Sequence, residues 1–415
     1  MGRIRDVAEG LWSGELDPAK HHPFAPLLCI EEIGPRTAFV SSFANATAFE
    51  TEQGLVLVDT GSFLLAPQVH ADVRAFTRQP LHTAVYTHGH VDHCFGVELY
   101  EAEQAAPARV VGHERVAARF ERYGLTRGYN ACINARQFQS AAQWPETFRA
   151  PDVTYASSLD FDVGGERFAL HHAQGETDDA TWVWVPSRGV VCVGDLFIWA
   201  TPNAGNPQKV QRYPREWARA LRAIAALPVE TLCPGHGPPV FGHERVQRAL
   251  VETAELLESL VAQTLAVMNA GARLEEALAT VKAPAHLLQR PYLRPIYDEP
   301  EFVVRSIWRL YGGWWDGDPS HLKPARAAPL ARERARMAGG ARRLAERAEQ
   351  LVAEGELALA CHLAEDAWLA EPGDPAIAAV RTAVYRERAA HEASLMARGI
   401  YSAAAEESAA EDEPR

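Results

Sequence analysis

Seven consecutive residues, Thr87-His88-Gly89-His90-Val91-Asp92-His93, constrain this chain more than any other feature. They follow an apolar run, Leu81 to Tyr86, that reads as a short strand. Three imidazoles and one carboxylate fall within the six residues His88 to His93. Without a counter-charge, so many crowded ligand groups would carry an uncompensated polar cost, which a metal site removes. Side chains two apart in an extended chain share a face, so His88, His90 and Asp92 are expected on one side and His93 on another. Such a fan suits two neighbouring ions better than one. Imidazole and carboxylate are ligands for divalent zinc, iron or manganese.

The rest of the composition narrows the class. At 415 residues the chain is expected to hold more than one domain. Its 47% hydrophobic and 23% charged content is that of an ordinary globular protein. A formal charge of −13 repels phosphate backbones, so nucleic acid is not an expected partner. A small anionic substrate would instead need a local positive site, which a pair of metal ions supplies. The six cysteines form no CxxC pair and no disulfide framework. The N-terminus, Met1-Gly2-Arg3-Ile4-Arg5-Asp6, lacks an apolar signal core, and no apolar run is long enough to span a bilayer. A cytoplasmic protein without a membrane partner is the expectation.

Short β-like runs dominate the first 240 or so residues. Thr37–Glu50 and Gly54–Asp59 read as paired strands around Glu52-Gln53-Gly54. Leu55-Val56-Leu57-Val58 is a buried strand that delivers Asp59 at its carboxyl tip. Residues 114–150 read as an irregular helical insert. Val153–Leu170 resumes strands with a Gly164-Gly165 hairpin, and Thr181–Val185 and Gly189–Val193 flank a turn, the second ending at Gly194-Asp195. From Glu244 onward the pattern is helical. Residues 246–324 read as a helical and aromatic connecting segment. Helices are then expected at Ala331–Met337, Ala341–Glu354, Leu357–Glu371 and Pro375–Ala397, followed by a frayed acidic tail, Glu406–Arg415. The tail resembles tetratricopeptide-like hairpins but has too few repeats for a stacked array, so it reads as a docking or dimerisation module.

Asp59, the His88–His93 motif, Glu176, Asp195 and His236 all lie at strand ends or in loops, where sites in α/β architectures assemble. Taken singly, Glu176 reads equally as a turn acid, Asp195 as a helix cap and His236 as a loop histidine. Their order along the chain resembles the metallo-β-lactamase superfamily of dinuclear hydrolases over about residues 30–245. The resemblance implies an α/β fold, an αββα sandwich, followed here by an all-α helical domain. It implies that His88 and His90 hold one metal, that Asp92, His93 and His236 hold the second, and that Asp195 bridges them. Asp92 and Asp59 are the catalytic candidates, Asp59 by orienting the ligand loop.

One departure is informative. Most superfamily members carry a third histidine on the first metal, where this chain has Gly175-Glu176-Thr177. Alkyl sulfatases are similar in using a glutamate there; His171 and His172 are the rival ligands. Tyr311-Gly312-Gly313-Trp314-Trp315-Asp316-Gly317-Asp318-Pro319, Ala338-Gly339-Gly340-Ala341 and Ala353-Glu354-Gly355-Glu356 resemble the segment leading into, and the body of, the alkyl-sulfatase dimerisation domain. The domain plan implied is catalytic 1–245 (insert about 114–150), connecting 246–324, dimerisation 325–405 and an acidic tail 406–415. Larger alkyl sulfatases continue into a lipid-carrier-like domain and typically bridge their metals with a glutamate. With Asp195 here and the chain stopping earlier, long-chain detergents are not the expected substrates.

The implied activity is hydrolysis of a small anionic sulfate ester by a metal-bound hydroxide, with two divalent ions as cofactors, zinc first and iron or manganese as alternatives. Lactone, thioester, β-lactam or phosphodiester hydrolysis on the same fold is the alternative. A homodimer through the C-terminal helices is expected. Two segments rich in amide and guanidinium donors suit anion binding: one with Asn130 and Arg136, the other with Asn203, Asn206, Arg212 and Tyr213.

Overall fold

The computed structural model describes residues 3–410. The chain forms two compact units. One comprises the residues up to Arg127 together with Trp144–Trp314, and the other Gly128–Gln143 together with the residues from Trp315 onward.

The first unit is built on two sheets. Seven strands pair in chain order: β1 (Cys29–Gly34), β2 (Thr37–Ser41), β3 (Ala46–Thr51), β4 (Gly54–Val58), β5 (Leu81–Val85), β6 (Arg109–His113) and β7 (Val153–Tyr155). Six more form the second sheet: β8 (Ser158–Val163), β9 (Glu166–Ala173), β10 (Ala180–Val185), β11 (Val190–Ile198), β12 (Thr231–His236) and β13 (Val240–Phe241). The pairs β4–β5, β5–β6, β6–β7 and β11–β12 are parallel, and the other neighbours are antiparallel.

Strand periodicity explains the layering. Along β9, β10 and β11, Phe168, Leu170, Val183, Val185, Val190 and Cys192 point into the core between the sheets. There they meet Phe39, Phe49, Val56, Val85 and Val111 of the first sheet. The alternate residues, Ala169, Trp182, Trp184, Val191 and Val193, face the other way. They are covered by Trp217 and Leu221 of helix Pro214–Ala225, Leu250 and Leu257 of helix His243–Asn269, and Ile307 of helix Pro300–Gly312. Helix Ala66–Phe76 packs on β1 and β2. The first unit is thus an αββα sandwich.

Several elements differ from the sequence expectation. Thr37–Glu50 is two strands, because residues 42–45 leave the sheet, where Asn45 Nδ2 bonds the Pro234 and Gly237 carbonyls at the end of β12. β11 runs on past Asp195 to Ile198 with a register shift at Gly194. The helices between His243 and Gly312 join the outer core of the first unit rather than acting as a connector.

The second unit is helical: Ala327–Ala338, Ala341–Ala353, Leu357–Ala370, Pro375–Ala390 and Leu395–Ala410. The expected single helix over 375–397 breaks at 391–394, and Ser394 starts a further helix through its Oγ and carbonyl. Of the acidic tail, residues 406–410 are helical and the remainder lies outside the described residues. Residues 128–143 belong to this unit: Gln139 Nε2 donates to the Gly399 carbonyl at 3.0 Å.

Candidate metal centre

β5 delivers the histidine motif into a tight turn, with His93 N–H bonded to the His90 carbonyl at 3.1 Å. The extended fan expected from sequence therefore fails beyond His90. Two groups result. His88, His90, Glu176 and Asp195 gather on one side, and Asp92, His93 and His236 on the other.

Asp195 turns one carboxylate oxygen to each group. Oδ2 stands 3.7 Å from His88 Nε2, while Oδ1 stands 3.3 Å from His93 Nε2 and 3.4 Å from His236 Nε2. Glu176 Oε2 lies 3.9 Å from His88 Nε2 and 3.7 Å from His90 Nδ1. Asp92 Oδ2 lies 3.7 Å from His93 Nε2 and 3.5 Å from His236 Nε2. Atoms about 2.0–2.2 Å from a tetrahedral ion stand about 3.3–3.6 Å apart, close to these spacings. His93 Nε2, Glu176 Oε2 and Asp195 Oδ1 are buried without a hydrogen bond of ordinary geometry. Unsatisfied ligand atoms facing one another across such gaps fit a pair of divalent ions.

The hydrogen bonds behind the rings fix their tautomers. His236 Nδ1 faces the Phe43 carbonyl, which only accepts, so Nδ1 carries the proton and Nε2 keeps its lone pair for the centre. His93 Nδ1 faces Asp59 Oδ2 at 2.8 Å, which holds a proton on that nitrogen and leaves Nε2 as the atom turned to the centre. Thr87 Oγ1 donates to Asp59 Oδ2 at 2.7 Å and so accepts from His88 Nδ1 at 3.1 Å. Three imidazoles are thereby held with Nε2 directed inward.

Burial drives the His88 imidazole down to about 3 and holds His90 well below the ordinary histidine value, so both are neutral and ready to ligate. Burial alone would lower His93 too, but Asp195, Asp92 and Asp59 together hold it well above that value. Burial raises the Glu176 carboxyl against the opposing Arg212 charge. Asp195 is held low despite its burial by His236 and His93.

The backbone leaves room for this arrangement. Asp59 adopts φ +57, a left-handed conformation costly for aspartate, and is held there by Thr87 N–H at 2.7 Å, Thr87 Oγ1 and His93. Gly194 has φ +50, and a Cβ there would lie 2.5 Å from Thr87 Oγ1. At Gly235 a Cβ would lie 2.1 Å from Asp195 Oδ1. Asp59 joins neither ligand group; it supports Thr87 and His93.

A buried ion pair, not anticipated from sequence, ties the two halves of the first group together. Asp179, on the turn after Glu176, accepts from Gly89 N–H at 3.0 Å and from Arg119 Nε at 2.9 Å. Thr181 N–H bonds the Thr87 carbonyl at 2.7 Å beside it. Arg119 comes from the helical insert, whose sequence gave no signal of such a role. The only hint was the acidic pair Asp178-Asp179 just after Glu176.

The rival ligands fall away. His171 stacks on Trp182 at 4.1 Å, and His172 stacks on His113 at 3.8 Å with Nε2 at the Asp178 carbonyl. Cys94 is buried with its thiol on the His90 carbonyl. Among the proposed substrate contacts, Asn203 Nδ2 bonds Glu176 Oε1, and Arg212 bonds the Glu176 carbonyl with NH2 3.3 Å from Oε1. Asn206 Nδ2 and Arg212 Nε are buried donors without a hydrogen bond. Tyr213 is half-buried and engages Gly175 through its backbone. Asn130 and Arg136 lie on helix Arg127–Phe138, in the part of it that belongs to the second unit, and are not members of the cluster.

Residues 41–236 match the metallo-beta-lactamase superfamily, and residues 273–411 match alkyl sulfatase dimerisation. A linear primary-alkylsulfatase of Pseudomonas sp. (strain ATCC 19151) is 29% identical over 316 residues, covering 70% of this chain and 60% of that protein. An (R)-specific secondary-alkylsulfatase of Pseudomonas sp. is 24% identical over 362 residues, covering 80% and 55%. The chain thus spans 60% and 55% of the length of these two relatives. The solved structure of the stereoselective inverting sec-alkylsulfatase Pisa1 from Pseudomonas sp. superimposes with a TM-score of 0.84 at 22% identity, covering 93% of this chain and 66% of that one. This likeness shows a shared fold. The chain therefore carries a stretch that matches the metallo-β-lactamase superfamily, with a candidate divalent metal centre, followed by one that matches alkyl sulfatase dimerisation.

Proposed function

We propose that this chain hydrolyses sulfate esters of small alcohols at a centre of two divalent ions, zinc first, with iron or manganese as alternatives. The observation that carries the proposal is the shared Asp195, one oxygen toward each ligand group, in a chain whose relatives above are named alkylsulfatases. When bound, the ions would polarise the ester oxygens and acidify water toward neutrality.

The residues divide the remaining work. His88, His90, Glu176 and Asp195 would hold one ion, and Asp92, His93, His236 and Asp195 the other. Asp59 keeps the His93 proton on Nδ1, so that Nε2 stays available. Asp92, which faces both His93 and His236, is read as a catalytic residue as well as a ligand. Asn206 Nδ2 and Arg212 Nε are donors suited to the anionic group, with Tyr213 beside them. Arg212 also offsets the buried charge of Glu176. Asn130 and Arg136 remain proposals on sequence grounds alone.

The C-terminal helices are read as a homodimer interface, in keeping with the matched dimerisation domain. All six cysteines are free, which favours a reducing compartment such as the cytoplasm. Among the described residues no helix is long and apolar enough to cross a membrane.

The test is a panel assay of metal-replete protein. Short alkyl and aryl sulfates should be turned over with release of inorganic sulfate, in preference to lactones, thioesters, β-lactams and phosphodiesters. Turnover confined to one of the other classes would refute the substrate assignment.

A further inference from the structure

The superfamily match ends at His236, yet the loop that touches Glu176 is fastened to residues far beyond it. Thr201 N–H bonds the Arg294 carbonyl at 2.9 Å, and Thr201 Oγ1 bonds the Leu293 carbonyl at 2.8 Å. Two residues past Asn203, Asp298 Oδ2 accepts from Gly205 N–H at 2.6 Å and from Asn206 N–H at 3.2 Å. Its other oxygen accepts from Glu299 N–H at 2.7 Å. Gly205 lies directly on the start of helix Pro300–Gly312, where a Cβ would stand 2.3 Å from the Phe302 carbonyl carbon.

Asp298 is fully buried at 0% exposure. Burial pushes its carboxyl up to about 7, against the pull of the Gly205, Glu299 and Asn206 amides. Burying an acid is costly unless its oxygens are used. A role confined to the helix start would need only the bond to Glu299. The second oxygen is spent instead on two successive amides of the loop that carries Asn203. The preceding residue reaches the other ligand group: Tyr297 packs on Phe24 at 4.1 Å, and Phe24 packs on His236 at 4.1 Å.

We propose that Asp298 is a positioning residue of the metal centre, holding the Gly205–Asn206 backbone so that the Asn203 amide fixes Glu176 in place. This rests on reading Glu176 as a metal ligand, and not on the identity of the substrate.

The test uses full-length protein loaded with cobalt(II), whose visible spectrum reports ligand geometry without turnover. Asp298→Asn keeps the shape of the side chain but leaves one acceptor oxygen for three amides. Asp298→Asn and Asn203→Ala should each shift the spectrum and weaken cobalt affinity about 10- to 100-fold. The double variant should be no weaker than Asn203→Ala, because both changes act along one route. If Asp298→Asn does not yield folded protein, Gly205→Ala displaces the same loop from the helix side and takes its place in the cycle. Wild-type spectrum and affinity in Asp298→Asn, or in Gly205→Ala where it stands in, or effects that add in the double variant, would overturn the proposal. A protein that turns over no sulfate ester would leave this readout intact.

Discussion

In the first unit the decisive charged groups are buried and come from strand ends far apart in sequence; in the second most lie at the surface and pair within a helix or across one hairpin. Arg119 and Asp179 are 3% and 0% exposed and meet across sixty residues. Arg336–Glu333 and Arg343–Glu346 are exposed pairs three residues apart. The cores differ likewise. Large residues such as Phe39, Phe168 and Trp217 fill the sandwich, whereas Ala331, Ala335, Ala345, Ala364 and Ala367 let the helices of the second unit approach closely. Arg381, buried between Glu365 and Glu407, is an exception among the described residues of the second unit. A metal centre needs a rigid polar frame that survives burial; a docking module needs only well-packed helices and a soluble exterior.

The sharpest way to break this contrast is to delete a ligand. His90→Ala should lower metal occupancy and reduce turnover below detection while far-UV circular dichroism retains the helical signal. Persisting turnover would remove His90 from the centre. Next comes the frame itself. Asp179→Ala leaves the buried Arg119 guanidinium with only the partly exposed Asp178 and should cost about 3 kcal/mol in denaturant unfolding, at the low end for a broken buried pair. Arg119 holds the Asp179 carboxyl well below the usual range, against the penalty of burial. Its contribution is therefore present above the unfolded value of about 3.9 and is lost as pH falls further. Acid unfolding of Asp179→Asn should accordingly begin from a lower stability and fall less steeply below about pH 4. An unchanged slope would contradict the pair's role.

Smaller effects belong to the second unit. Ile377→Ala, at a core position 1% exposed, should cost about 2–5 kcal/mol in the unfolding of that unit while turnover per folded chain is unchanged. A loss of turnover in the folded variant would show that the units are coupled. Arg334→Ala, which breaks the partly exposed pair with Asp366, should change stability by about 0–1 kcal/mol.

The residues of the two candidate ligand groups were legible in the sequence because each sits at a strand end or loop with its own chemical signature. Glu176 was readable only through the family resemblance, with His171 and His172 as rivals; the fold places both rivals on β9, stacked on Trp182 and His113. The supports were not legible. Thr87, Arg119, Asp179 and Asp298 act through partners 28 to 93 residues distant, and nothing local distinguishes them from surface threonines or salt-bridge residues. The turn at His90–His93 was hidden for a related reason. Period-2 reasoning assumes an extended chain, whereas the loop bends so that Thr60 N–H can bond the His93 carbonyl. The helix Leu395–Ala410 was missed because its start, Ser394, follows a run with no glycine or proline to mark the break.

The most direct test of the shared-ligand centre is the number of divalent ions bound per folded chain at saturation, measured by elemental mass spectrometry on wild type and on Asp195→Ala. Two ions in the wild type and fewer in the variant is the expected result, because Asp195 faces both ligand groups. One ion or none in the wild type, or two tightly held ions in Asp195→Ala, would contradict a dinuclear centre bridged by that carboxylate.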